Sequence, residues 1–103
     1  MKVLEGFQKK YLRGVAHSLK PLIYIGQKGM NDAVARAVKD ALLQHELIKV
    51  KFNEFKEKEN KQKISRTIEK MTDSQMVGLI GHTAIFYRQH PDPEKRNIAV
   101  PER

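Results

Sequence analysis

The chain has 103 residues, a formal net charge of +8 and a pI near 9.8, with 40% hydrophobic and 31% charged residues. That length makes one domain, 1–103, able to bury a core without staples, and the absence of cysteine excludes disulfide scaffolds and thiolate metal sites. No apolar run is long enough to span a bilayer and no leader pattern opens the chain, so a cytoplasmic protein with an anionic partner is expected, nucleic acid ahead of an acidic membrane surface.

From Phe7 to Leu19 the apolar residues Phe7, Tyr11, Leu12, Val15, Ala16 and Leu19 recur at helical spacing. Lys9, Arg13 and His17 lie on another face, with Lys20 just beyond, and residues 1–20 carry five Lys/Arg against the single Glu5. Pro21 disfavours helix at Lys20 and ends the segment. A wholly apolar stretch over 22–25 reads as a short strand.

The strand stops at Gly26-Gln27-Lys28-Gly29. Two glycines let the backbone turn tightly and approach a ligand with no Cβ in the way. The helix expected over 31–44 has Asn31 as its N-cap and points free N–H groups back at this turn. Lys28 at the tip suits a phosphate. The same four residues also serve a plain strand-to-helix turn, and a side chain at Gly29 is tolerable there unless that residue needs positive φ.

Val34, Ala37, Val38, Ala41 and Leu42 form one stripe of the second helix. Residues 47–52 then alternate: Ile48, Val50 and Phe52 face one way, Leu47, Lys49 and Lys51 the other. Residues 54–63 carry mixed charges and read as a solvated loop entering a third helix, over about 60–71, with Ile64, Ile68 and Met71 inward. Strands over 75–80 and 83–88 are joined by Gly81-His82, where glycine can take positive φ. From residue 89 the chain is expected to run as an extended tail, leaving a core over about 7–88.

The order is α-β-α-β-α-β-β. Two strand–helix–strand crossovers and a hairpin imply an α/β fold of the α+β type, a two-layer sandwich with a mixed four-stranded sheet. Right-handed crossovers put the second and third helices on one sheet face; the pattern leaves the side of the first helix open.

Catalytic constellations are missing from the sequence. His45-Glu46 begins a zinc-protease pattern, but Lys49 stands where the second histidine belongs. His17 and Ser18 are helix neighbours that face different ways. No enzyme activity, cofactor, metal site or small-molecule substrate is expected. Arg13, His17, Lys20, Lys28, Lys49 and Lys51 instead suit a surface that tracks a phosphate backbone. Tyr24 and Tyr87 are candidates to stack on bases, although either residue type more often serves a core or an edge.

Four segments together resemble the CRM-domain family (chloroplast RNA splicing and ribosome maturation), and specifically its small bacterial YhbY-like members. They are Leu12-Arg13 with Ala16-His17-Ser18-Leu19-Lys20-Pro21; Ile25-Gly26-Gln27-Lys28-Gly29-Met30; His45-Glu46-Leu47-Ile48-Lys49-Val50-Lys51; and Gly81-His82-Thr83 with Phe86-Tyr87-Arg88. The resemblance implies an RNA-binding domain folded like the C-terminal domain of translation initiation factor three, and a monomer is expected. It also implies a partner in ribosomal RNA of large-subunit precursors, without membrane association. Its loop, compared with the backbone clamp of KH domains, carries over to Gly26, Gln27, Lys28 and Gly29. Two positions depart from the family. Gln27 stands where lysine is frequent, and His82 replaces the usual lysine of the hairpin with a group that ordinarily titrates between about pH 6 and 7. The alternative is a protein-interaction module docking on a ribosomal protein or assembly factor, its charge only steering encounter.

Overall fold

Alternation in the central strand sorts the molecule into two sides. The structure, a computed structural model, describes residues 2–102. Its elements are α1 (Gly6–Ala16), β1 (Ile23–Ile25), α2 (Asp32–His45), β2 (Leu47–Phe52), α3 (Lys58–Thr72), β3 (Gln75–Ile80) and β4 (Thr83–Tyr87), followed by one 3-10 turn at Pro93–Lys95. The sheet order is β1-β2-β4-β3, with β1 parallel to β2 and the other pairs antiparallel. The sheet is therefore mixed and four-stranded, and α2 and α3 share one face.

Beneath those two helices, Ile48, Val50 and Phe52 of β2 pack with Ile25, Val38, Leu42, Ile68 and Phe86 in the larger core. Each such buried side chain contributes about 1.5–3 kcal/mol by leaving water. α1 lies on the opposite face, where Leu12 and Ala16 pack on Leu47, Val77, Ile85 and Tyr87. Only that half of its apolar stripe is fully covered; Tyr11, Val15 and Leu19 stay partly exposed. α1 also stops at Ala16, with Leu19 N–H returning to the Ala16 carbonyl, so the chain leaves the helix earlier than the periodicity implied.

Asn31 caps α2, its side chain accepting from Val34 N–H at 2.9 Å. Along that helix Ala35, Val38 and Leu42 are buried, whereas Ala37 is exposed. In α3 the buried positions are Lys61, Ser65, Ile68 and Thr72. Met71, expected inward, is exposed because that stripe turns it one position off the sheet-facing line. A register shift between Met76 and Gly78 bulges β3 and brings Val77 and Gly78 both to the α1 side.

The segment after β4 runs back along the α1 side rather than away from the protein. Ile98 and Val100 pack against the α1 core, and Gln8 Nε2 donates to the Pro101 carbonyl. Its anchor is Glu46, 1% exposed, the residue after α2, at φ +61°. One carboxylate oxygen accepts from His90 N–H at 2.8 Å, the other from Asn97 and Ile98 N–H. So sparsely populated a backbone conformation disfavours a non-glycine residue by about 1–3 kcal/mol. Three charge-assisted hydrogen bonds outweigh that.

Candidate nucleic-acid interface

Three connections converge at the end of the sheet where β1 and β2 finish. Ile25 pairs with Phe52, whose N–H donates to the His82 carbonyl at 2.7 Å, while the Ile25 carbonyl accepts from Asn53 and Glu54 N–H. The loop after β1, residues 53–57 and the β3–β4 turn are thus stitched into one rim, and α2 and α3 both begin there. Their first-turn N–H groups give that rim partial positive charge.

The loop after β1 closes by a Gly29 N–H to Gly26 carbonyl bond of 3.0 Å. Gly29 is buried at φ +64°, and a Cβ there would stand 3.2 Å from the Phe55 ring. It is required by the turn itself. Gly26 has no positive φ and open space around its Cβ position, and Gln27 and Lys28 are exposed. The face offered to a ligand is therefore Gly26-Gln27-Lys28, held from below by Gly29 on Phe55.

At the β3–β4 turn Gly81 takes φ +58° while His82 does not take positive φ, the pattern of a type II′ hairpin. Lys61, buried in α3, reaches up to this turn. Its Nζ donates to the Gly81 carbonyl at 2.7 Å and lies 3.3 Å from His82 Nδ1. Loss of solvent around the imidazole, then the charges of Lys61, Lys56 and Lys51, push His82 below the ordinary 6.5. The residue as a whole is exposed, so geometry assigns the closer cause to the lysines. A lysine ammonium can only donate, so Nδ1 of His82 accepts from Lys61, an arrangement that favours the neutral ring.

On the α1 side, the cations singled out in the sequence separate into two groups. Arg13 lies over the bulge: Nη1 donates to the Val77 carbonyl at 2.8 Å, and its Cδ occupies the space that Gly78 leaves empty. Lys49 Nζ donates to the carbonyls of Leu19, at 2.9 Å, and His17, at 3.4 Å, satisfying the frayed end of α1. Both are engaged within the fold. His17, Lys20 and Lys51 are exposed, and Lys51 projects beside the loop rim. Gly26, Gln27, Lys28, Gly29, Lys51 and His82 thus share one end of the molecule, while Arg13 and Lys49 hold α1 to the sheet.

Two cations of the rim, Lys56 and Lys61, belong to the mixed-charge stretch 54–63, whose composition suggests a solvated loop. The spacing of Lys61 with Ser65, Ile68 and Thr72 was the available signal for its buried position. No set of three or more His, Asp or Glu side chains among the described residues is placed to hold a metal ion. No helix among them is long and apolar enough to cross a membrane.

Comparison with known proteins agrees with this architecture. The CRS1 / YhbY (CRM) domain family model matches residues 4–88. A Haemophilus influenzae protein named "RNA-binding protein" is 36% identical over 103 residues, covering all of both chains. The Bacillus subtilis "Probable RNA-binding protein YqeI" is 35% identical over 99 residues, covering 96% of this chain and 100% of its own. A hypothetical protein of Staphylococcus aureus, solved in solution, superposes with a TM-score of 0.79 at 31% identity, covering 94% of this chain and 100% of its own.

Proposed function

Because this chain belongs to the CRS1 / YhbY (CRM) domain family, we propose that it is a non-enzymatic RNA-binding protein. Its ligand would be ribosomal RNA of large-subunit precursors, bound in the cytoplasm by a monomer that holds a local RNA conformation during assembly. The observation that carries the reading is the convergence of the Gly26–Gly29 loop with Lys51, Lys56, Lys61 and His82 on one rim. Three lysines act on His82 there. Such a rim attracts a polyanion, and an exposed glycine backbone beside a helix N-terminus lets a phosphate come close. The names of the relatives support RNA as the polyanion.

Titration of the purified protein with naked fragments of large-subunit ribosomal RNA tests this. Saturable binding that weakens with salt is expected, and crosslinks in cell extract should map to large-subunit precursors. A second reading, docking on a ribosomal protein or assembly factor, draws on the exposed Tyr11 and Val15 beside Gly14 on the outer side of α1. Absence of saturable binding to naked RNA would favour that reading.

A further inference from the structure

α1 leaves part of the sheet bare. It ends at Ala16, and Lys49 ties the following turn down through the His17 and Leu19 carbonyls. Its cover therefore reaches the row of Lys49, Ile85 and Gly78. One row closer to the loop rim, Tyr24, Lys51, Thr83 and Ile80 pair across all four strands. In-register neighbours point to the same side, so these four side chains share the α1 face. Tyr24 is 53% exposed and Ile80 62%, and Lys51 is exposed as well.

We propose that this bare row is a stacking platform for an unpaired RNA base, with Tyr24 beneath the base and Lys51 on the adjoining phosphate. The proposal rests on the RNA-binding reading above and narrows its ligand to RNA with unpaired nucleotides. Tyr24 sits on an edge strand, two residues before Gly26, so a strand clamped at the loop passes over its ring. A base in a continuous duplex is stacked on its own neighbours and cannot lie on the tyrosine. A base with a free face can, whatever its sequence. The surroundings select the occupant. The row contains no carboxylate; Lys51 is the in-register neighbour of Tyr24, and the exposed Lys28 stands in the loop that follows β1. An aromatic surface bordered by cations is complementary to nucleotides rather than to an apolar protein helix.

The test measures affinity for an unstructured RNA oligonucleotide and for the same strand annealed to its complement, both at low salt. Tyr24→Ala should weaken single-strand binding by about 5- to 150-fold, the range of one lost base–aromatic stack. Duplex binding should not change, and Tyr24→Phe should retain wild-type affinity for both. Tyr24→Leu keeps apolar cover on the strand and should show the same selective loss, which guards against poor folding of the alanine variant. Equal losses on single strand and duplex, or no loss on either, would overturn the platform while leaving RNA binding in place. Failure of the wild type to bind saturably either these probes or naked fragments of large-subunit ribosomal RNA would overturn both readings.

Discussion

Lys61 Nζ stands 3.3 Å from Nδ1 of His82, close enough to donate to the neutral ring and too close to welcome a protonated one. With Lys56 and Lys51 also acting on it, His82 titrates below 6.5 in the free protein. A bound phosphate neutralises those lysines and raises the imidazole's proton affinity, so complex formation takes up a proton. RNA affinity is expected to be flat above neutrality and to strengthen as pH falls below about 6.5. His82→Gln should remove that dependence in binding titrations across pH, and an unchanged profile would place His82 outside the interface. Without RNA the sign reverses. The folded-state value is depressed, so this contribution to stability is complete above 6.5 and is lost as pH falls toward the folded-state value.

The two loop glycines should respond in opposite ways. Gly29 needs φ +64° and abuts Phe55, so Gly29→Ala should lower unfolding free energy by about 1–2 kcal/mol. Gly26→Asp meets open space at ordinary φ and should melt like the wild type. It places a carboxylate where a phosphate is proposed to approach, so RNA affinity should fall about tenfold or more. Thermal melts beside RNA titrations separate the two effects. Unaltered affinity in a folded Gly26→Asp protein would reduce this segment to a turn.

Glu46 should govern the tail. Glu46→Gln replaces one acceptor oxygen with an N–H donor, which then faces either the His90 N–H or those of Asn97 and Ile98. A loss of about 1–3 kcal/mol in urea unfolding is expected. Amide exchange should accelerate at those three residues before it does in the β2–β4 pair. Unaltered protection at Asn97 and Ile98 would show that apolar packing of Ile98 and Val100 holds the tail unaided.

Period-two alternation in 47–52 and the Pro21, Gly26 and Gly81 breaks made the sheet and its connections legible, because those signals are local. The side chosen by α1 was not, since its stripe fits either face; the contacts that hold it, Leu12 and Ala16 on Val77 and Ile85 and Arg13 on the Val77 carbonyl, join residues far apart in sequence. Glu46 read as one residue of a recognisable segment, but its partners lie 44 to 52 positions away, beyond any spacing rule. Lys61 was hidden by its composition. A lysine among Glu57, Glu59 and Lys63 looks solvated until the hairpin carbonyl above it is known. For the cations, sequence placed each on a face, and only the carbonyls of Val77, Leu19 and His17 distinguish a tether from a free charge.

That distinction yields the sharpest contrast among the basic residues. Lys49 and Lys51 lie two residues apart on the same face of β2, yet Lys49 is bonded to the end of α1 and Lys51 is exposed beside the rim. If about five cations contact single-stranded RNA, the log–log slope of affinity against salt should be on the order of −3 to −4. Lys51→Ala, like Lys28→Ala or Lys56→Ala, should make that slope shallower by about 0.7 and leave the melting curve unchanged. Lys49→Ala and Arg13→Ala should instead keep the slope and cost about 1 kcal/mol each, because each strands backbone carbonyls that the side chain now satisfies. Salt titrations and denaturant melts on the same protein samples read both quantities. A shallower slope for Lys49→Ala with no loss of stability would mean its ammonium leaves the α1 carbonyls for the RNA, and the interface would then extend beneath the end of that helix.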